Sequence, residues 1–454
     1  MIPEADYIIP VDGEPQKALA RGWLWLGVLS LLGSGVFSIL LVLARTPAVN
    51  EWIPWVDFFH IALVVHVDLS VLVWFAAFSG LMWTLNSTKK QLALGWAGLA
   101  AAALGTLMMA VSPFLGAGDP LMSNYVPVLQ DQLFYAALLI FAAGMCLVVI
   151  RSMIAIAPVG RYMTGVGAQR FGMNTLTVSA VMALVAFVWT WWLLPDFLEG
   201  RAYFELLFWG GGHVLQFTWT LLLIIAWLWL ASESGMSLPL TPRVTLIFFG
   251  FGLFAVFLTP PIYMAYDITS VDHIKVFTWL MRYGGSLASL PLGLAVCYGL
   301  LISKSCSEQE KPYRSALISS LILFGAGGLI GFFISGADVT IPAHYHGSIV
   351  GVTLGLMGLT YMLLPRLGYG IARIKWANVQ PWLYGGGQLL HVLGLMWSGG
   401  YGVQRKVAGA DQVLDGLEKQ IAMGVMGLGG LIAIIGGIVF VYIVLEAMLK
   451  KPSA

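Results

Sequence analysis

The chain reads as long apolar runs, each longer than about 20 residues, punctuated by short clusters of charge, Pro and Gly. Runs fall near 22–44, 57–85, 95–116, 131–153, 174–197, 204–231, 243–268, 274–303, 315–336, 340–364, 381–404 and 422–448. A membrane barrel would show short alternating segments, whereas these runs are continuous, so the pattern predicts helices. The expected fold is an all-α membrane protein, a twelve-helix transmembrane bundle forming one domain over residues 1–454. In it, residues 1–21 form a cytoplasmic N-terminal segment, 22–448 the helices and 449–454 a cytoplasmic tail.

Composition agrees, with 59% apolar residues and only 10% charged, against roughly 25% charged in soluble domains. Charge then sets an orientation. The N-terminus and the loops after even-numbered runs carry 16 Lys and Arg, and the loops after odd-numbered runs carry 5. By the positive-inside rule both termini are expected in the cytoplasm. The segment Met1 to Lys17 is polar and holds Pro3, Pro10 and Pro15, so the first run itself is expected to direct insertion. A formal net charge of +1 removes nucleic acid as a partner. The three cysteines, Cys146, Cys297 and Cys306, have no spacing for zinc, thiol redox chemistry or covalent haem attachment.

Seven histidines remain, and their depths differ. At 1.5 Å per helical residue, His66 and His213 lie about 14 Å in from the outer ends of runs two and six, and His344 and His346 about 6 to 9 Å into run ten. All four share the outer half of a roughly 30 Å core. A single membrane histidine usually hydrogen-bonds a neighbouring helix. Four in one layer are costly to bury unpaired, and imidazole is the commonest protein ligand of haem iron and copper. In Ala343-His344-Tyr345-His346-Gly347 the two imidazoles point about 200° apart, so one helix serves a cofactor on each side. His60 and His391 stand apart from this layer and suit hydrogen-bonding roles.

These residues carry a resemblance. His66-Val67-Asp68-Leu69-Ser70-Val71-Leu72-Val73-Trp74, Phe208-Trp209-Gly210-Gly211-Gly212-His213, Ala343-His344-Tyr345-His346-Gly347 and Gly399-Gly400-Tyr401-Gly402-Val403-Gln404-Arg405-Lys406 resemble segments of the main subunit of the haem-copper oxidase superfamily. The second run is closer to the nitric oxide reductase branch. The resemblance implies His66 and His346 as axial ligands of a low-spin haem and His344 as proximal ligand of a high-spin haem, both haems expected to be b-type. It further implies His213 on a non-haem iron or copper, and Arg405 and Lys406 near the haem propionates. Electrons would arrive from a second subunit bearing a c-type haem or a copper centre. The other expected partners are membrane lipid and a small gaseous substrate.

Two departures bear on the chemistry. Most members carry a His-His pair at the outer end of run seven; here the segment is Pro260-Pro261-Ile262-Tyr263-Met264-Ala265-Tyr266-Asp267-Ile268. Asp267, a hard ligand suited to iron, or His273 is the candidate replacement. Beside His213 stands Val214-Leu215-Gln216-Phe217, without the tyrosine of many oxygen reductases or the glutamate of well-known nitric oxide reductases. Joining two nitric oxide molecules takes two electrons and needs no phenol, so the missing tyrosine favours nitric oxide reduction. Tyr263, Tyr266 or Tyr345 reaching the site from another helix would restore oxygen reduction. Among intramembrane acids Glu205, eight residues before His213, is the candidate for proton uptake; Asp68 follows His66 by two residues, and Glu51 and Asp57 lie at the outer mouth of the second run. A divergent oxygen reductase and a non-catalytic dihaem electron conduit stand as alternatives.

Overall fold

The computed structural model describes residues 6–45, 58–116, 118–336, 338–405 and 414–450. Among these residues twelve long helical segments follow one another: α1 Glu14–Arg45, α2 Phe59–Leu85, α3 Leu92–Phe114, α4 Gln132–Ile154, α5 Gly165–Leu193, α6 Gly200–Glu233, α7 Pro242–Ala265, α8 Val271–Ile302, α9 Lys311–Gly331, α10 Thr340–Arg366, α11 Ile374–Gly399 and α12 Leu417–Leu449. Eleven are long and apolar enough to cross a membrane; α11, with Gln380, Gln388 and His391, is too polar for that criterion. The chain is thus a multi-pass membrane protein, and the expected helical fold is met.

Local chemistry explains the boundaries. Asp131 opens α4 by accepting from the backbone N–H of Leu133 and Phe134, and Thr164, Thr241 and Ser270 cap α5, α7 and the start of α8 in the same way. Several ends differ from the sequence expectation, among them that of α5, which begins at Gly165 rather than near 174. Helix α1 begins eight residues before the apolar run, because Glu14 to Arg21 form a polar turn stabilised by contacts of Lys17 and Arg21 with Glu14. Helix α11 begins at Ile374 rather than at Pro381, which sits inside the helix, and it ends at Gly399. Helix α7 breaks at Phe257–Leu258, ahead of the Thr259-Pro260-Pro261 step whose prolines donate no backbone hydrogen bond. In α2 the residues Asp68–Val73 form a π-helical turn.

Packing divides the chain into two compact units. One holds the first part of α1 with α2 to α8; the other holds the rest of α1 with α9 to α12. In the first, α3 and α4 pack together and α7 packs on α5 and α8; in the second, α9, α10, α11 and α12 interlock. Between α3 and α4 lies a small antiparallel hairpin, β1 Pro120–Leu121 with β2 Val128–Leu129, pairing Pro120 with Leu129 and Leu121 with Val128. Most helices bury a third to three-fifths of their most apolar stretch, but α6 buries 83% and α10 89%. Helix α6 carries His213, and α10 carries His344 and His346.

Backbones touch where α11 crosses α12. A Cβ on Gly387 would meet Ala433 N at 2.5 Å and one on Gly394 would meet Met426 N at 2.5 Å, with backbone on both sides that cannot yield. Gly387→Val or Gly394→Val is therefore expected to destabilise the protein by about 1–3 kcal/mol or more, as overpacking does. The check is thermal unfolding of the purified protein in detergent; an unaltered transition would contradict the crossing.

Candidate functional site

Imidazole anchoring is the common theme. On α2, His66 Nδ1 lies 3.0 Å from the Ser34 carbonyl and 2.9 Å from its hydroxyl. On α10, His344 Nδ1 lies 2.7 Å from the Gly327 carbonyl of α9, and His346 Nδ1 lies 2.8 Å from the Pro342 carbonyl one turn earlier. A carbonyl accepts only, so each Nδ1 carries the proton and each Nε2 carries the lone pair. This is the arrangement of a metal-ligating histidine, whose other nitrogen donates to a fixed acceptor. The two α10 imidazoles diverge as the 200° separation predicts: His344 turns to α9, while His346 lies 5.0 Å, ring to ring, from His391 of α11. His391 itself donates from Nδ1 to the Met426 carbonyl at 3.0 Å, the hydrogen-bonding role expected of it. The three imidazoles of His66, His344 and His346 fit haem ligation by this chemistry.

Glycine makes room for His344, since a Cβ on Gly331 would sit 2.8 Å from its Nδ1. Asp68, two residues after His66, is wholly buried, and neither carboxylate oxygen has a hydrogen-bond partner among the described residues. A buried carboxyl in that state is costly, and it sits in the π-helical turn, a feature frequent at functional sites. Beyond α11, the glycine-rich segment docks on the start of α10: Val339 N–H donates to the Val403 carbonyl at 3.0 Å and Asp338 bridges Gln404. Arg405 follows at once, half-buried, in the same unit as His344 and His346. Lys406, Glu51 and Asp57 lie outside the described residues.

His213, near the middle of α6, is 4% exposed. Its Nδ1 lies 2.7 Å from the Trp209 carbonyl, which leaves Nε2 as acceptor. The Tyr125 hydroxyl, from the hairpin between α3 and α4, stands 3.1 Å from that Nε2 and 2.9 Å from Nδ1. The preceding three glycines each admit a ring: a Cβ would meet the Tyr263 hydroxyl at Gly210, Phe187 at Gly211 and Tyr125 at Gly212, all at 2.2–2.3 Å. Burial, with the nearby Glu205 carboxylate adding to it, pushes the Tyr125 phenol above the usual tyrosine range. Its proton therefore stays on oxygen at neutral pH, and the phenol donates to His213.

Of the other expected ligands, His273 lies within electrostatic reach of both His213 and Asp267. His273 is buried, with its ring against Tyr263 at 5.1 Å and Phe277 at 4.9 Å. Asp267 is at the surface, where its carboxylate accepts from the Thr269 N–H at 2.8 Å and from the Thr269 hydroxyl. Those two bonds hold the Asp267 carboxyl below the usual range. Among the described residues no three His, Cys, Asp or Glu side chains gather as a metal site, so His213, His273 and Asp267 do not fit a three-ligand metal centre as they stand. Glu205 accepts from Asn124 Nδ2 at 2.8 Å and from Asn124 N–H at 3.3 Å, with Arg201 at 3.8 Å. Of the tyrosines weighed from sequence, Tyr263 reaches Thr190 at 2.6 Å and the ring of His273 rather than His213. Tyr125 was not among them: its partner is 88 residues away, and nothing in its turn-rich neighbourhood marks it.

Gly331→Val is expected to displace His344. It should remove at least half of the carbon-monoxide-reactive high-spin haem signal while the low-spin band persists, as read by reduced and carbon-monoxide difference spectra. Equal loss of both signals would point to unfolding instead.

Comparisons with known proteins bear on the fold and the family. A solved haem-copper terminal oxidase, studied as a dimer by cryo-electron microscopy, superposes with a TM-score of 0.76 at 16% identity over 98% of this chain and 85% of its own, a likeness of fold. An uncharacterized protein of Rickettsia prowazekii (strain Madrid E) is 30% identical over 94% of this chain and 95% of its own length. Another, of Aquifex aeolicus (strain VF5), is 30% identical over 76% and 85%. The model of the family described as cytochrome c and quinol oxidase polypeptide I matches residues 18–439. Nearly the whole helical bundle lies within that match, and the chain belongs to this family, the main subunit of haem-copper oxidases.

Proposed function

We propose that the chain is the haem-bearing catalytic subunit of a respiratory terminal reductase that reduces a diatomic gas, with dioxygen the favoured acceptor. The observation that carries the choice is the Tyr125 hydroxyl within hydrogen-bond distance of His213. In this reading both termini face the cytoplasm. Electrons come from an outer-side subunit bearing a c-type haem or a copper centre.

His66 and His346 would hold one b-type haem and His344 the other through their Nε2 lone pairs, and the haems supply electron transfer and gas binding. The resemblance implies His213 for a further iron or copper, but among the described residues no second and third ligand join it, and its Nε2 accepts from Tyr125. What this chain itself contributes is orientation and a proton. The carbonyls of Ser34, Gly327 and Pro342 keep each imidazole in one tautomer and at one angle. Tyr125 holds a proton on its hydroxyl oxygen, donated toward His213. Reduction of dioxygen to water needs four electrons, and a buried phenol can lend one electron and one proton when fewer are at hand. Trp209 and Phe277 pack their rings against His213, with centroids at 4.7 and 5.8 Å.

Nitric oxide reduction is the second reading, favoured by a specific feature: Val214 to Phe217 place no phenol on the helix of His213 itself. A two-electron reaction has no use for Tyr125. The purified complex, assayed separately on each gas, distinguishes them. Tyr125→Phe is expected to lower oxygen turnover at least tenfold, about 1.4 kcal/mol in the barrier, with the haem spectra unchanged. Nitrous oxide formed rapidly from nitric oxide, with Tyr125→Phe indifferent on both gases, would overturn the dioxygen reading. Two haems with turnover on neither gas would leave an electron conduit.

A further inference from the structure

Tyr125 occupies an uncommon conformation. Its φ is +71°, and the Val126 N–H donates back to the Asn124 carbonyl at 3.0 Å. Tyr125 is thus the central residue of a γ-turn in its rare positive-φ form. For a bulky side chain this conformation is strained and persists only where the surroundings impose it. Three constraints do so. Ser123 donates its hydroxyl to the Val126 carbonyl and closes the turn. Asn124 gives both its backbone N–H and its side-chain Nδ2 to one oxygen of Glu205. Gly212 leaves space for the ring, since any Cβ there would overlap Tyr125 Cγ.

Glu205 and His213 lie on the same helix, eight residues or about 12 Å apart along its axis. The helix therefore grips the hairpin at two points, Asn124 at Glu205 and Tyr125 at His213. We infer that Glu205 is a positioning residue: its carboxylate, acting through Asn124, holds Tyr125 in the strained turn that sets the phenol on His213. The carboxylate is an acceptor for the loop rather than the carrier of a proton to the site. Arg201, one helical turn earlier at 3.8 Å, adds a contact to the other oxygen of the same carboxylate. This inference rests on the role given to Tyr125 above, but its structural half stands separately.

The test uses the full-length, haem-loaded complex with 3-fluorotyrosine at position 125, read by 19F NMR and by turnover. Glu205→Gln keeps an acceptor oxygen for Asn124 but cannot carry a proton as a carboxylate does. Glu205→Ala removes both capacities. The expected result is one 19F resonance shared by the native protein and Glu205→Gln, and a shifted or multiple resonance in Glu205→Ala. Turnover in Glu205→Gln should stay above half of the native rate, while Glu205→Ala falls at least tenfold in kcat with KM for the gas within about twofold. If Glu205→Ala yields no haem-loaded protein, Asn124→Ser removes the Nδ2 donor and should give the same shift and the same loss. A Glu205→Gln protein as inactive as Glu205→Ala, with the 19F resonance unmoved in both, would overturn the positioning role and make Glu205 a proton carrier. An unmoved resonance with undiminished turnover in Glu205→Ala would overturn it as well. If the resonance shifts as expected while Tyr125→Phe leaves turnover intact, the latch stands and the dioxygen reading falls.

Discussion

An imidazole has two nitrogens, and a protein that commits one of them to a backbone carbonyl decides what the other can do. His66, His213, His344, His346 and His391 all place Nδ1 against a carbonyl oxygen, of Ser34, Trp209, Gly327, Pro342 and Met426 respectively. Each ring is thereby fixed in tautomer and angle, with a lone pair at Nε2. In the low dielectric of an apolar bundle such hydrogen bonds are stronger than in water. The rest of the site depends on this constraint. Small residues let the helices close enough for it: Gly331 clears space for His344, and close backbone approach between α9 and α10 at Gly327 and Gly347 brings the Gly327 carbonyl within reach.

The fold was legible because hydropathy over twenty residues is a strong, local signal. Its failures were local too. Pro381 was read as a boundary, yet a proline costs a membrane helix little once neighbouring helices meet the freed carbonyl. At Glu14 to Arg21 the helix continues past the apolar run on charge pairing, to which a hydropathy pattern is blind.

The site was legible along one helix at a time. The divergence of His344 and His346 follows from helical rotation alone. Contacts between distant segments were not. Tyr125 reaches His213 through a hairpin whose sequence, Ser123-Asn124-Tyr125-Val126-Pro127, reads only as a turn. Asp267 shows the converse: it is the right residue type for a metal, but the Thr269 N–H and hydroxyl two residues on offer a nearer partner, and the local turn takes it.

The central claim is that backbone carbonyls aim the Nε2 atoms of His66, His344 and His346 at two haem irons. A density map of the haem-loaded complex tests it most directly. The account predicts two haems, with those three Nε2 atoms on iron and the Nδ1 atoms still on Ser34, Gly327 and Pro342. Haem iron bound through Nδ1, or ligated by other side chains, would contradict it.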